Sequence, residues 1–110
     1  MVAAESGWDA PVEFHVAVDV AADPPVVAVW GEVDLATVAA VRDALGEALE
    51  TGADEIVVDL SHVMFMGSTG IRELIRIHDA VRRVELRVPP GIVRRALETA
   101  VLPDTFVIVG

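Results

Sequence analysis

Apolar and polar residues alternate along VEFHVAVDV, Val12–Val20, at the period of two that a half-buried strand requires. The AADPP stretch, Ala21–Pro25, has turn composition, and VVAVWG after it reads as a more buried strand reaching Gly31. Together they predict an antiparallel hairpin. From Asp34 the period changes. Leu35, Val38, Val41, Ala44, Leu45 and Leu49 recur at helical spacing, with Asp34 as N-cap and Gly52 placed for a left-handed C-cap. EIVVDL, Glu55–Leu60, is a nearly continuous apolar run of the kind buried on both faces of a sheet. A second helical stripe follows in Ile71, Leu74, Ile75, His78 and Val81. VELRV, Val84–Val88, alternates as a short strand; prolines then open a short helix from Ile92 to about Ala100, and FVIVG closes as a strand.

The resulting order, ββαβαβαβ, predicts a single α/β domain. Its sheet should be mixed and four- or five-stranded, with helices near 35–50 and 69–82 packed on one face. Residues 1–11 read as an N-terminal tail and 12–110 as the domain. The pattern places Val57, Leu60, Phe65, Leu74 and Ile75 in the core.

Composition narrows the setting. Of the 110 residues 54 % are hydrophobic, yet no apolar run approaches the roughly 18–20 residues of a membrane helix, so no membrane insertion is expected. The start, MVAAESGWDAPVEF, lacks the basic and apolar regions of a secretory signal. Cysteine is absent, which excludes disulfides and thiolate metal sites and points to a cytoplasmic protein. A net charge of −10 argues against nucleic acid as a partner, because that affinity comes mostly from neutralising phosphates. The charge is unevenly spread: residues 1–70 hold thirteen acids and one base, Arg42, whereas residues 71–110 hold five acids and seven arginines. Such polarity can orient a protein partner.

Enzymatic constellations do not emerge. There is no lysine for a phosphate-cradling loop of the G-x-x-x-x-G-K-[ST] type, and GSTG does not fit the G-x-S-x-G nucleophile elbow. His15, His62 and His78 share no metal-ligand spacing, and Asp34 beside Glu32 is better used as a cap. No catalytic residue, metal or cofactor is expected. The chemistry that stands out is the hydroxyl pair Ser68–Thr69, set between Gly67 and Gly70 where a strand hands over to a helix. Either hydroxyl suits a helix cap.

The wider stretch VVDLSHVMFMGSTGIREL, Val57–Leu74, resembles the signature of STAS domains, in particular bacterial anti-sigma factor antagonists, which read D-L-S-x-V-x-F-M-D-S-[ST]-G-[LI]. WGEVDLAT, Trp30–Thr37, and VPPGIVRRALETAVLPDTFVI resemble the family's G-E-[LV]-D and closing segments, so the likeness runs over about residues 12–109. The resemblance implies an anti-sigma factor of the serine-protein kinase type as partner, Ser68 as phosphoacceptor with Thr69 as the second hydroxyl, and a phosphatase that resets the switch. It implies contact with the partner through Met64, Met66, Gly67, Ser68 and Thr69 of the loop and through Arg72, Glu73 and Arg76, expected on the outer face of the following helix. In that arrangement Ser68 would be exposed while Thr69 caps the helix. Gly67 stands where the family has Asp, and the connection from the second helix to the next strand is short. The alternative in the same family is an adaptor that is not phosphorylated, such as the small STAS subunit of a lipid-transport ABC complex.

Overall fold

The computed structural model describes residues 13–110, so the tail 1–11 and Val12 lie outside the described residues. Eight elements follow one another: β1 (His15–Asp19), β2 (Val26–Val33), α1 (Val38–Leu49), β3 (Glu55–Met66), α2 (Ser68–Ile75), β4 (Arg83–Arg87), α3 (Ile92–Thr99) and β5 (Phe106–Val109). The five strands lie side by side in chain order, with β1 antiparallel to β2 and every later pair parallel. The mixed α/β sheet is the one the sequence predicts, and β3 sits at its centre.

Each parallel crossover steps the same way across the sheet, and right-handed connections therefore bring all three helices to one face. A single core records this. Val41 and Leu45 of α1, Leu74 of α2 and Leu97 of α3 meet Val27, Val29, Ile56, Val58, Leu60, Val84 and Leu86 of the strands. On the opposite face Val57 is also buried, although it lies outside that cluster, so β3 is covered on both sides at that point. The rest of that face is wetter. Trp30 stacks on His62 with ring centroids 5.7 Å apart and meets His15 at 5.2 Å. Beside them Arg87 and Arg83 hold Glu85, whose carboxyl is kept below its ordinary range chiefly by the Arg87 hydrogen bond.

Four expectations are corrected. The first helix begins at Val38, with Thr37 as N-cap, because Asp34 is used to close a separate turn just before it. Leu35 consequently falls in that turn and is 82 % exposed instead of joining the core stripe. β3 runs on to Met66 and is irregular. Ala28 pairs with Asp59 and Trp30 with His62, then Gly31 with Val63 and Glu32 with Phe65, so β3 gains one residue at each of two bulges. Its buried residues become Leu60, Val63 and Met66, spaced by three, and Phe65 turns outward to 47 % exposure. Finally, α2 ends at Ile75, which is only partly buried, and residues 76–80 are turns. Ile77 and Val81 still reach the core from this short connection, which is pinned where Arg82 and Arg83 N–H donate to the Asp54 carbonyl. The C-cap expectation holds: Gly52 has φ 78°, and its N–H donates to the Leu49 carbonyl at 3.0 Å.

Candidate partner-binding site

The parallel pair β2–β3 ends at Val33 beside Met66, and the chain leaves β3 through Gly67, whose N–H still donates to the Val33 carbonyl at 3.2 Å. Gly67 is the N-cap of α2, in an extended conformation (φ −82°, ψ 178°). The helix therefore starts one residue before Thr69. Ser68 and Thr69 both lie in its first turn, and no side chain caps it, which overturns the expectation that Thr69 does. Gly70 explains how the turn fits. A Cβ there would stand 2.8 Å from Val33 Cγ1 and 2.9 Å from Met66 Cγ, so only glycine lets the helix start flush against the two strand ends.

Ser68 is exposed and Thr69 half-buried. They line an open cleft with Asp34, Leu35, Ala36, Phe65 and Gly67. One wall is the turn before α1, and it is held by several bonds. Asp34 Oδ1 accepts from the Ala36 N–H at 2.9 Å and the Thr37 N–H at 3.2 Å, while Thr37 Oγ1 donates to the Glu32 carbonyl at 2.8 Å and accepts from the Asp34 N–H at 3.0 Å. The other wall is the end of β3, where the bulges leave Met64 at 54 % and Phe65 at 47 % exposure. An exposed apolar rim thus surrounds the serine. Leu35 and Phe65 were not singled out as contact residues on sequence. The signal was present in the Asp34…Thr37 spacing, which fits a closed turn as well as a cap and leaves the leucine between them outside the helix.

The other expected contact residues divide. Met64, Ser68, Arg72 and Arg76 are exposed, and Gly67 and Thr69 partly so. Met66 is 5 % exposed and belongs to the core, because the second bulge returns it to the helix side. Glu73 is 7 % exposed instead of facing outward. Its carboxylate forms a fork with Arg42 of α1, accepting from Nε at 3.1 Å and Nη2 at 3.2 Å, and Arg76 Nη1 lies 3.5 Å away. The Arg42 hydrogen bond, opposed by burial and helped by the charges of Arg42 and Arg76, holds the Glu73 carboxyl below its ordinary value. Glu73 thereby ties the site-bearing helix to α1. Among the described residues no group of three or more His, Asp or Glu could hold a metal ion, and no helix is long and apolar enough to cross a membrane.

A family model described as "Mlab, STAS domain" matches residues 16–109. The chain belongs to the STAS domain family. Within it, the sequence is 33 % identical over 84 residues to the anti-sigma-F factor antagonist RsfB of Mycobacterium tuberculosis, covering 74 % of this STAS chain and 69 % of the relative. Its fold matches the crystal structure of an anti-sigma factor antagonist from Mycobacterium paratuberculosis with a TM-score of 0.73 and 28 % identity, over 88 % of this chain and 84 % of that one. The anti-sigma factor antagonist SpoIIAA in its unphosphorylated form shares the fold at a TM-score of 0.71 and 18 % identity, over 87 % and 89 % of the two chains. The STAS sheet and its loop–helix junction are thus the frame in which Ser68 sits.

Proposed function

We propose that this STAS domain is an anti-sigma factor antagonist. It acts by binding, in the cytoplasm, to an anti-sigma factor that is also a serine-protein kinase, and so releases a sigma factor. The observation that carries this reading is the exposed Ser68 at the start of α2, framed by the exposed apolar side chains of Leu35 and Phe65. Its likeness to relatives described as anti-sigma factor antagonists supports the choice of partner.

In the complex the partner buries the apolar rim and approaches Ser68 from the open side of the cleft. The kinase then moves the γ-phosphoryl group of its nucleoside triphosphate to Ser68 Oγ. The serine proton leaves to a base of the kinase and the diphosphate is released. A dianionic group in the middle of a desolvated apolar contact opposes rebinding, both by desolvation and by repulsion from acids of the partner. A phosphatase restores the hydroxyl. The domain need not refold, because the modification lies on the contact surface.

The test is a binding and kinase assay with the kinase-type anti-sigma factor of the same genome. Wild type is expected to bind and to take up phosphate, Ser68→Ala to bind without taking it up, and phosphorylated wild type to bind at least tenfold more weakly. Phosphate that persists on Ser68→Ala would refute the acceptor. Tight binding with no phosphate transfer would favour an adaptor that uses the same surface without modification, as in the transport complexes to which some STAS subunits belong.

A further inference from the structure

Arg72 stands four residues after Ser68 on α2, and both are exposed. Side chains at i and i+4 share one helix face, and long helical side chains lean toward the N-terminus, so the Arg72 guanidinium is directed back along the face that carries Ser68. An acid preceding a base by four residues is also the favourable order along a helix. Of the other arginines, all but Arg95 of α3 are committed to carboxylates. Arg42 and Arg76 hold Glu73, Arg82 and Arg83 hold Glu55, Arg83 and Arg87 hold Glu85, and Arg94 holds Glu98. Among the described residues, Arg72 has no carboxylate within ion-pair distance. Glu73, its neighbour in sequence, is turned away into the Arg42 fork.

The cleft that Ser68 lines also holds an acid. Asp34 lines the same cleft, and its carboxylate is fixed there by the turn it closes. A phosphate on Ser68 would be repelled from Asp34 and drawn toward Arg72. We propose that Arg72 is the intramolecular counter-ion of phosphorylated Ser68, closing an i, i+4 phosphoserine–arginine pair on α2. The pair holds the phosphate on the domain's own surface and occupies the one α2 arginine that the unmodified protein offers to a partner's acid. Phosphorylation then acts twice on the contact surface: it adds negative charge at Ser68 and withdraws positive charge at Arg72.

This inference rests on Ser68 as the modified residue, but its test needs no kinase. Phosphoserine is placed at position 68 during translation of the full chain, and its second ionisation is followed by phosphorus NMR in the otherwise wild-type protein, in Arg72→Gln and in Arg72→Lys. Serine phosphate ionises with a second pKa near 6. The expected result is a value lower by roughly 0.2–0.4 unit in the wild type than in Arg72→Gln, the shift that a helical ion pair of ordinary strength produces. Arg72→Lys should recover part of it, and urea sufficient to unfold the chain should abolish the difference. Superimposable titrations of wild type and Arg72→Gln in the folded state would overturn the pair. A normal shift here, together with a kinase assay in which Ser68 is never modified, would instead overturn the acceptor reading and leave the pair intact.

Discussion

Leu35 is exposed because Asp34 and Thr37 close the turn around it, and a leucine presented on so well-bonded a turn can be buried by a partner at small cost in ordering. Leu35→Ala should therefore separate binding from folding. Thermal and urea unfolding should stay within about 0.5 kcal/mol of wild type, as for an exposed side chain. Calorimetric titration with the anti-sigma factor should show a loss of about 1–2 kcal/mol, on the order of tenfold in Kd. Equal affinities would place the partner elsewhere. Gly67 makes the complementary case. A Cβ there meets only the Phe65 ring, at 3.5 and 3.6 Å, and its backbone angles suit any residue. As the N-cap it is also the place where a carboxylate would accept the N–H of Thr69, since the Gly70 N–H already donates to the Gly67 carbonyl, and meet the positive end of the helix. Gly67→Asp should raise stability by about 0.5 kcal/mol in urea unfolding. A gain of that size would give an aspartate at this place a capping role. Sequence alone could not assign it, since which of three adjacent residues is the cap depends on where β3 ends.

At the scale of elements, the element order, the mixed sheet and the helix count were legible because each rests on local periodicity and on the handedness of crossovers. The bulges of β3 were not. They arise from the register against β2, a non-local match that moves Phe65 out and Val63 and Met66 in, whatever the local apolar pattern. Glu73 was hidden for the same reason, because its partner Arg42 is thirty-one residues away on α1. This fork has a consequence for acid stability. The Glu73 carboxyl is held below its ordinary value of 4.5 in the folded state, so its contribution is fully present above that value. That contribution is lost as pH falls through 4.5 toward the lower folded value. Glu73→Gln should be less stable at neutral pH by about 1 kcal/mol, a modest figure because Arg42 and Arg76 are 51 % and 66 % exposed and therefore screened. The two proteins should converge on acidification. Melting curves from pH 7 to pH 3 that remain parallel would show that the fork does not tie α2 to α1 in solution.

Over the whole molecule the charge is divided along the chain, and Ser68 lies near the division. The thirteen acids of residues 1–70 precede it, and the seven arginines of residues 71–110 follow it, beginning with Arg72. That asymmetry was readable from composition, but its use at the surface was not, because most of those arginines are paired with nearby carboxylates. Arg76 is one of them. Replacing it with Glu would set a second acid against Glu73 and disturb α2 itself, so a loss of binding in that variant would be ambiguous. Arg72 has no such commitment among the described residues, and Arg72→Glu changes the field beside Ser68 without breaking a pair. If the partner approaches Ser68 with acidic groups toward Arg72, this variant should associate more slowly at low salt. The deficit should narrow as ionic strength rises and the Debye length shrinks from about 30 Å at 0.01 M to about 8 Å at 0.15 M. Dissociation should change less, because the apolar contacts at Leu35 and Phe65 are untouched. Association rates measured by stopped flow over that range give the answer: a wild-type rate and an Arg72→Glu rate with the same salt slope would remove Arg72 from the encounter surface and leave the apolar rim as the whole of the recognition.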